Sequence, residues 1–356
     1  MSILEEARKK INDIDKQMAS LFEQRMKAVE DVILYKREHQ LPILDTNREK
    51  FIMEHNLQYI HENKYIESYQ SFMQNVMSIS RKYQNQILCK NKIGYQGIKG
   101  AFSYFATQKI FPNHQYINYS SFQSLCNAVE NGEITYAVIP FENSYTGEVG
   151  EVLDLLIEHH IYINNIYDLP ISQNLLGVKG ATINDIKMVY SKDKAIEQSE
   201  LFLKGRDWEV IPYPNTAMAA EYVARCNDKT KAAIAAKENA NVYGLDILEE
   251  NINTNKDNTT RFIIVSKEIN YVHNRIALAF ITNHEAGALA KAMNIIASAG
   301  FNMESIKSRP VKDSSWEYYF YIEIDGNIKN HNVRLLIQEL EKVCKQVKLL
   351  GTYQSI

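Results

Sequence analysis

Residues 3–38 carry an apolar helical period that no proline or glycine interrupts. Leu4, Ile11, Ile14, Met18, Leu21, Met26, Val29 and Ile33 recur at helical spacings. A helix over this stretch would be roughly 50 Å long at 1.5 Å per residue. That is more than a small domain can cover with its own chain, so the helix is expected to pack against a partner chain. Pro42 is expected to break it. Asp45-Thr46-Asn47 offers N-cap candidates for a second helix over 47–61. A third, over 64–87, carries Ile66, Tyr69, Phe72, Met73, Val76, Ile79 and Tyr83. Residues 1–88 therefore read as an all-helical domain.

The texture changes near Cys89, where short apolar runs begin to alternate with helical segments. That alternation predicts α/β units on largely parallel sheets. Two small lobes with a cleft between them fit the length of this stretch, 91–268. After the polar Asn251–Thr259 segment and a link at Tyr271–Asn274, the pattern becomes strand, helix, strand, strand, helix, strand over 274–356, with the last pair of strands near 316–324 and 346–350 and the helix between them at 330–343. This is a ferredoxin-like α+β plan. A chain of 356 residues has room for three such domains.

The charges nearly balance, with 40 basic and 43 acidic side chains. A chain of this kind is not expected to coat nucleic acid or an anionic membrane. Cys89, Cys126, Cys226 and Cys344 form no Cys-x-x-Cys pair, which fits a reducing compartment rather than a disulfide framework or zinc knuckle. Acidic residues stand where a signal peptide needs an apolar stretch, and no apolar run approaches the ~20 residues of a membrane span. A cytoplasmic location is expected.

Several clusters are chemically suggestive. Arg8, Arg25 and Lys36 are read as one cationic stripe on the long helix, suited to a dianionic small molecule; a solvated basic face is the other reading. Arg48 follows on the second helix, and Ser80 and Gln84 stand four apart on the third. The Gly94-Tyr-Gln-Gly97-Ile-Lys-Gly100-Ala-Phe-Ser103 stretch lies between a strand and a helix, where a backbone can approach an anion. It lacks the Gly-Lys-Ser/Thr of a P-loop and the spacing of a dinucleotide site. A simple tight turn remains open. Pro140-Phe-Glu142-Asn143-Ser144-Tyr-Thr146-Gly147 places a carboxylate, an amide and hydroxyls at a strand's C-terminal end, and Thr259-Thr260-Arg261-Phe262 places hydroxyls and a cation at a strand start. Either alone is also compatible with a capped loop; together they could face one cleft.

Taken together, these clusters resemble the bifunctional chorismate mutase/prephenate dehydratase family of bacterial phenylalanine synthesis, over essentially the whole chain. Residues 1–88 resemble the all-helical AroQ-type mutase, whose family positions fall on Arg8, Arg25, Lys36, Asp45, Arg48, Glu49, Ser80 and Gln84. Residues 91–268 resemble the dehydratase domain, a two-lobed, periplasmic-binding-like α/β fold. Its motifs match Gly97-Ile-Lys-Gly100-Ala-Phe-Ser103, Pro140-Phe-Glu142-Asn143-Ser144 and Thr260-Arg261-Phe262. Residues 274–356 resemble an ACT regulatory domain, with Gly287-Ala288-Leu289 as its Gly-Ala-Leu motif.

The resemblance implies roles. Arg8 and Arg25 would clamp substrate carboxylates, with Arg8 acting on the partner subunit's site in a homodimer or higher homo-oligomer. Lys36 and Gln84 would donate to the ether oxygen of chorismate, and Arg48 and Glu49 would orient it. Thr260 would serve the leaving hydroxyl of prephenate, within a network of Glu142, Asn143, Ser144 and Gln198. Arg261 and the backbone near Ser103 would hold prephenate's carboxylates. Phenylalanine, as effector, would bind beside Gly287–Leu289 and Ser308–Arg309. Neither reaction requires a metal or another cofactor. Two departures stand out. The family's Glu-Ser-Arg-Pro reads Lys307-Ser308-Arg309-Pro310 here, and its Ser-His-Pro-Gln with a later Gln-Cys reads Ser191-Lys192-Asp193-Lys194 with Gln198-Ser199.

Overall fold

The computed structural model describes residues 2–39, 41, 43–89, 92–311, 317–329 and 331–354. Pro42, Asn91, Trp316 and Asn330, at the edges of expected elements or domains, lie outside the described residues. The chain divides into two compact units, Met1–Asn91 and Lys92–Ile356. Among the described residues no helix is long and apolar enough to cross a membrane.

The first unit is helical. Its elements are α1 (Ile3–Glu38), α2 (Thr46–Leu57), a 3-10 turn at Asn63–Tyr65 and α3 (Ile66–Cys89). Asp45 caps α2 by accepting from the Arg48 backbone N–H at 2.9 Å, a contact typically worth ~1 kcal/mol. In the C-terminal half of α1 one face is covered by its own chain: Val29 and Ile33 are buried, as are Met73, Val76 and Met77 of α3, while Val32, Leu34 and Tyr35 are exposed. The N-terminal half is not covered in this way, and Leu4, Ile11, Ile14, Met18 and Leu21 are exposed.

The second unit opens with β1 (Lys92–Gln96), α4 (Phe102–Ile110), β2 (Gln115–Tyr119), α5 (Phe122–Glu130), β3 (Tyr136–Asn143), β4 (Gly147–Glu148), α6 (Gly150–Glu158) and β5 (Tyr162–Pro170). The chain then crosses to a second lobe: β6 (Asn174–Gly177), β7 (Met188–Ser191), α7 (Asp193–Gln198), α8 (Glu200–Leu203), β8 (Glu209–Pro212), α9 (Thr216–Cys226), β9 (Lys231–Ala235), α10 (Glu238–Tyr243) and β10 (Asp246–Glu249). It returns to the first lobe as β11 (Thr259–Ser266). The last stretch comprises β12 (Arg275–Thr282), α11 (Ala288–Ser298), β13 (Met303–Pro310), β14 (Tyr318–Asp325), α12 (His331–Val343) and β15 (Cys344–Tyr353), in the expected βαββαβ order.

The two-lobed α/β expectation holds, with one correction. The sheets are mixed rather than largely parallel. β11 re-enters the first lobe antiparallel to both β3 and β5, and β6 is antiparallel to β9 and β10 in the five-stranded sheet of the second lobe. A chain that leaves one lobe at a strand end and comes back at the same edge must run the other way on return.

The C-terminal domain is fused to the first lobe through a ten-stranded sheet in which β15 lies beside β5. Its β14 and β15 tyrosines Tyr319, Tyr321 and Tyr353 share one core with Phe141, Leu153 and Ile163 of the first lobe. Burying a side chain of this size stabilises by about 1.5–3 kcal/mol, so the two domains support each other.

Candidate functional sites

In the helical unit, Arg25, Val29, Ile33 and Lys36 follow one another at steps of four, four and three, so they share a face of α1. The facing stripe of α3 runs from Met73 through Val76 and Met77 to Ser80 and Gln84, all buried. Paired positions rise together along the two helices, Arg25 and Met26 with Ser80 and Glu30 with Tyr83, so the polar end of the α3 stripe lies along the Arg25–Lys36 stretch of α1. Arg25 Nη1 donates to Ser80 Oγ, and burial pushes the Arg25 guanidinium below its ordinary pKa. Lys36 Nζ donates to the Ile43 carbonyl at 2.5 Å. Gln84 Oε1 is buried and has no hydrogen-bond partner among the described residues. Glu49 of α2 is paired with Arg81 of α3, while Arg48 lies over the Phe51 ring, its guanidinium carbon 5.2 Å from the centroid. Arg81 was not among the sequence candidates. Its position beside Ser80, one residue out of the helical stripe, concealed it.

Arg8 does not belong to that stripe. At about 100° per residue, the step from Arg25 to Lys36 leaves them about 20° apart, but the step from Arg8 to Arg25 leaves a net turn of about 100°. Arg8 also stands about 25 Å along the axis from Arg25. It is exposed and flanks the uncovered apolar strip of Leu4, Ile11, Ile14, Met18 and Leu21.

In the second unit, the ends of β1, β3 and β5 and the start of β11 lie on one edge of the first lobe's sheet, because β3 is parallel to β1 and antiparallel to β11. Thr260 is the register partner of Asn143. Asn143 Nδ2 donates to Thr260 Oγ1 at 2.9 Å and to Asn258 Oδ1 at 2.7 Å, while its Oδ1 accepts from the Tyr145 and Thr146 backbone. Ser144 Oγ donates to the Asp257 carbonyl and accepts from the Thr259 N–H, which ties the β3 end to the returning segment. Ser103 is buried in the first turn of α4 on the same edge.

Glu142 and Arg261 face the other way. Neighbouring strand residues point to opposite faces, and Glu142, Arg261 and Asp168 are cross-strand partners. Arg261 makes a two-pronged contact with Asp168 at 3.0 and 3.3 Å. That contact holds its pKa above the ordinary value. Glu142 meets Lys307 of β13 at 2.9 Å. Of the network expected around Thr260, the structure therefore brings Asn143 to it directly, ties Ser144 into the adjoining turn, and turns the side chains of Glu142 and Arg261 toward the C-terminal domain.

Gln198 belongs to the second lobe, where its Oε1 accepts from Gln173 Nε2 at 3.1 Å. Gln173 and Asn258, on the two segments that cross between lobes, are buried and keep Oε1 and Nδ2 respectively without a partner among the described residues. Buried polar atoms normally find partners, so these are groups that a ligand would satisfy. Asn258 lies in the amide-rich Asn251–Thr259 segment, which was its signal; no local pattern marks Gln173. The lobes also touch directly: Asn239 Nδ2 donates to the Gly100 carbonyl at 3.0 Å and Tyr243 Oη to the Lys99 carbonyl at 2.6 Å. Gly100, at φ 91°, leaves no space for a Cβ, which would fall 2.2 Å from Asn239 Oδ1.

In the C-terminal domain, Gly287, Ala288 and Leu289 line a groove of about 520 Å³ with Asn283, Glu317 and Phe320. Ser308 is exposed on β13. Arg309 is not in the groove. It grips Asp154 of α6 through two bonds of 3.0 Å, and Tyr319 also donates to Asp154. The Asp154 contact raises the Arg309 pKa; burial, then Asp154, raises that of Tyr319.

A helical unit with cations along a buried polar stripe, followed by a two-lobed α/β unit with a Thr–Asn pair at its sheet edge and a ferredoxin-like domain, defines a class of fused chain with two separate polar sites. Family models agree: residues 7–85 match chorismate mutase type II and residues 93–270 match prephenate dehydratase. The chain belongs to the bifunctional chorismate mutase/prephenate dehydratase family. A bifunctional chorismate mutase/prephenate dehydratase of Enterobacter agglomerans is 30% identical over 98% of this chain and 95% of its own. The solved prephenate dehydratase of Arthrobacter aurescens, in complex with L-Phe, is 26% identical with a TM-score of 0.68, covering 74% of this chain and 90% of that one. A solved structure described as GqqA, a quorum-quenching acylase, is 28% identical with a TM-score of 0.69, over 74% of this chain and 98% of that one. The same architecture thus accompanies a second described activity, and function has to be read from the site.

Proposed function

We propose that the helical unit rearranges chorismate to prephenate and that the Thr260 edge converts prephenate to phenylpyruvate, in phenylalanine biosynthesis in the cytoplasm. Family membership supports both steps; the observation that carries the reading is the 2.9 Å contact of Asn143 with Thr260, two motif residues more than a hundred positions apart.

The mutase step breaks a C–O bond and forms a C–C bond in one cyclic movement of electrons, so the protein has only to hold a compact conformer and stabilise negative charge on the ether oxygen. Arg25 clamps a carboxylate. Lys36 and Gln84 donate to the ether oxygen; Lys36 exchanges the Ile43 carbonyl for substrate. Asp45 holds α2 so that Arg48 and Glu49 orient the ring, and Ser80 orients Arg25. A second copy supplies Arg8 and covers the apolar strip beside it.

In the dehydratase step, the C–C bond to the departing carboxylate breaks and releases carbon dioxide, its electrons enter the ring, and the ring hydroxyl takes a proton from solvent and leaves as water. Threonine is a weak acid, so Thr260 orients the leaving oxygen within the Asn143, Ser144 and Gln198 network rather than acting alone. The backbone at Ser103 receives a substrate carboxylate. Glu142 and Arg261 act from behind, by fixing β3 and β11. Phenylalanine, as effector, sits in the Gly287–Leu289 groove, with Ser308 close by on β13 and Arg309 linking that domain to α6.

The test is a pair of variants. Thr260→Ala should lower phenylpyruvate formation from added prephenate by about 10²-fold or more and leave chorismate consumption unchanged. Lys36→Ala should do the reverse. Loss of both activities in either variant, or retention of both, rejects the assignment.

A further inference from the structure

The motif residues of β3 and β11 alternate between two surroundings. Asn143 and Thr260 face the cleft edge, and Glu142 and Arg261 face the C-terminal domain. On that second face Lys307 of β13 reaches Glu142, with Nζ 2.9 Å from Oε2. The same nitrogen lies 5.0 Å from the centroid of the Phe141 ring. The Lys307 side chain is 15% exposed, and its Nζ is shielded from solvent with no acceptor aligned to its N–H groups among the described residues. The contact is therefore a close ion pair rather than a directed hydrogen bond, and the shielded ammonium has Glu142 as its counter-charge. Arg309, two residues on and on the same face of β13, makes a separate clamp on Asp154, so the docking of the two domains does not depend on Lys307 alone.

We propose that Lys307 is a positioning residue of the dehydratase site: held over Phe141, it fixes the Glu142 carboxylate and so sets the end of β3 from which Asn143 reaches Thr260. One peptide bond separates the residue it grips from the residue that meets Thr260. The backbone is stiff on that scale, because only two soft dihedrals intervene per residue. Releasing Glu142 lets the β3 end move relative to β11, and displacements of about 1 Å at such sites lower turnover by up to 10²-fold. The C-terminal domain thereby takes part in dehydration through a charge it presents to the back of the site. This proposal rests on the reading that Asn143 and Thr260 form that site.

The experiment compares Lys307→Met, Lys307→Arg and Lys307→Glu in the full chain, with prephenate and chorismate assayed separately. Methionine keeps the apolar stem over Phe141 and removes the charge. It should lower dehydratase kcat by about tenfold with KM within about twofold, while mutase activity and the thermal midpoint hold. Arginine should retain most of kcat. Glutamate, facing Glu142, should lower kcat further than methionine does. Full kcat in Lys307→Met overturns the proposal. So does a loss of kcat that arginine fails to restore and that comes with a fallen thermal midpoint, since that pattern marks mere packing. If Thr260→Ala is fully active as a dehydratase, the underlying site assignment fails, whatever the Lys307 variants do. If Thr260→Ala is dead and Lys307→Met is normal, only the Lys307 proposal fails.

Discussion

Thr260 and Arg261 are adjacent, yet one meets an amide at the cleft edge and the other a carboxylate on the back of the sheet. The pleat assigns them, and a one-residue slip of β11 would exchange them. Glu130 shows how a residue outside either site leaves a mark on stability. Its Oε2 lies 2.6 Å from His159 Nδ1 and its Oε1 accepts from the His160 N–H. These contacts, the His159 bond first, lower its pKa from the ordinary 4.5. A depressed carboxylate pKa stabilises the fold above the unfolded value and loses that contribution as pH falls through the folded value. Glu130→Gln should therefore lower the thermal midpoint at pH 7 by no more than roughly 2–4 °C, because the pair is partly exposed. The gap to the parent should close as pH drops below the ordinary value, in melts recorded from pH 7 to pH 3. A gap that persists at pH 3 would show that the substitution disturbs packing, not ionisation.

At the scale of elements, the joint between the C-terminal domain and the first lobe is the least local feature of the chain. Gly351 of β15 lies against Ile163 of β5, and a Cβ there would fall 2.1 Å from the Ile163 carbonyl oxygen and 2.6 Å from its nitrogen. Lys348, three residues earlier, donates to the Ile157 and His159 carbonyls at the end of α6; desolvation lowers its pKa. Gly351→Ala should force the two strands apart. A destabilisation of roughly 1–3 kcal/mol follows from overpacking of this kind, visible as a lower thermal midpoint with the mutase rate intact at 25 °C. An unchanged midpoint would mean that the strands separate without penalty. Sequence alone disclosed the helices of the first unit, the alternation of strands and helices after Cys89 and the βαββαβ order, because each rests on local periodicity. It did not disclose the β15–β5 junction, the antiparallel return of β11, or the short β4 and β10, which depend on pairing between distant segments. The same limit applies to the sites. The Pro-x-Glu-Asn and Thr-Arg-Phe motifs were legible as residues, and the Lys307 departure was visible, but its Glu142 partner lies 165 positions away in the chain. Arg309 was read as an effector contact because the motif says nothing of Asp154.

On the scale of the whole molecule, the exposed apolar strip of α1 is the surface on which the proposed second copy would pack. Leu4, Ile11, Ile14, Met18 and Leu21 fall at steps of three, four and seven, the spacing by which one helix packs along another. All are exposed. Arg8 borders that strip about 25 Å from Arg25, so it cannot complete the site of its own chain while α1 is straight. A second copy laid on the strip would bring it to the other site. This has a strict consequence for mixtures of inactive variants. Arg8→Ala and Lys36→Ala should each be poor mutases alone. Refolded together in equal amounts, half of the dimers pair one chain of each kind. Each such dimer then has one site with an intact Arg8 and Lys36 and one site lacking both, so about a quarter of the parental mutase activity should return. If Arg8 served its own chain, every site in the mixed dimer would carry one lesion, and mixing would restore nothing. The dehydratase rate, measured in the same samples, should be the same before and after mixing.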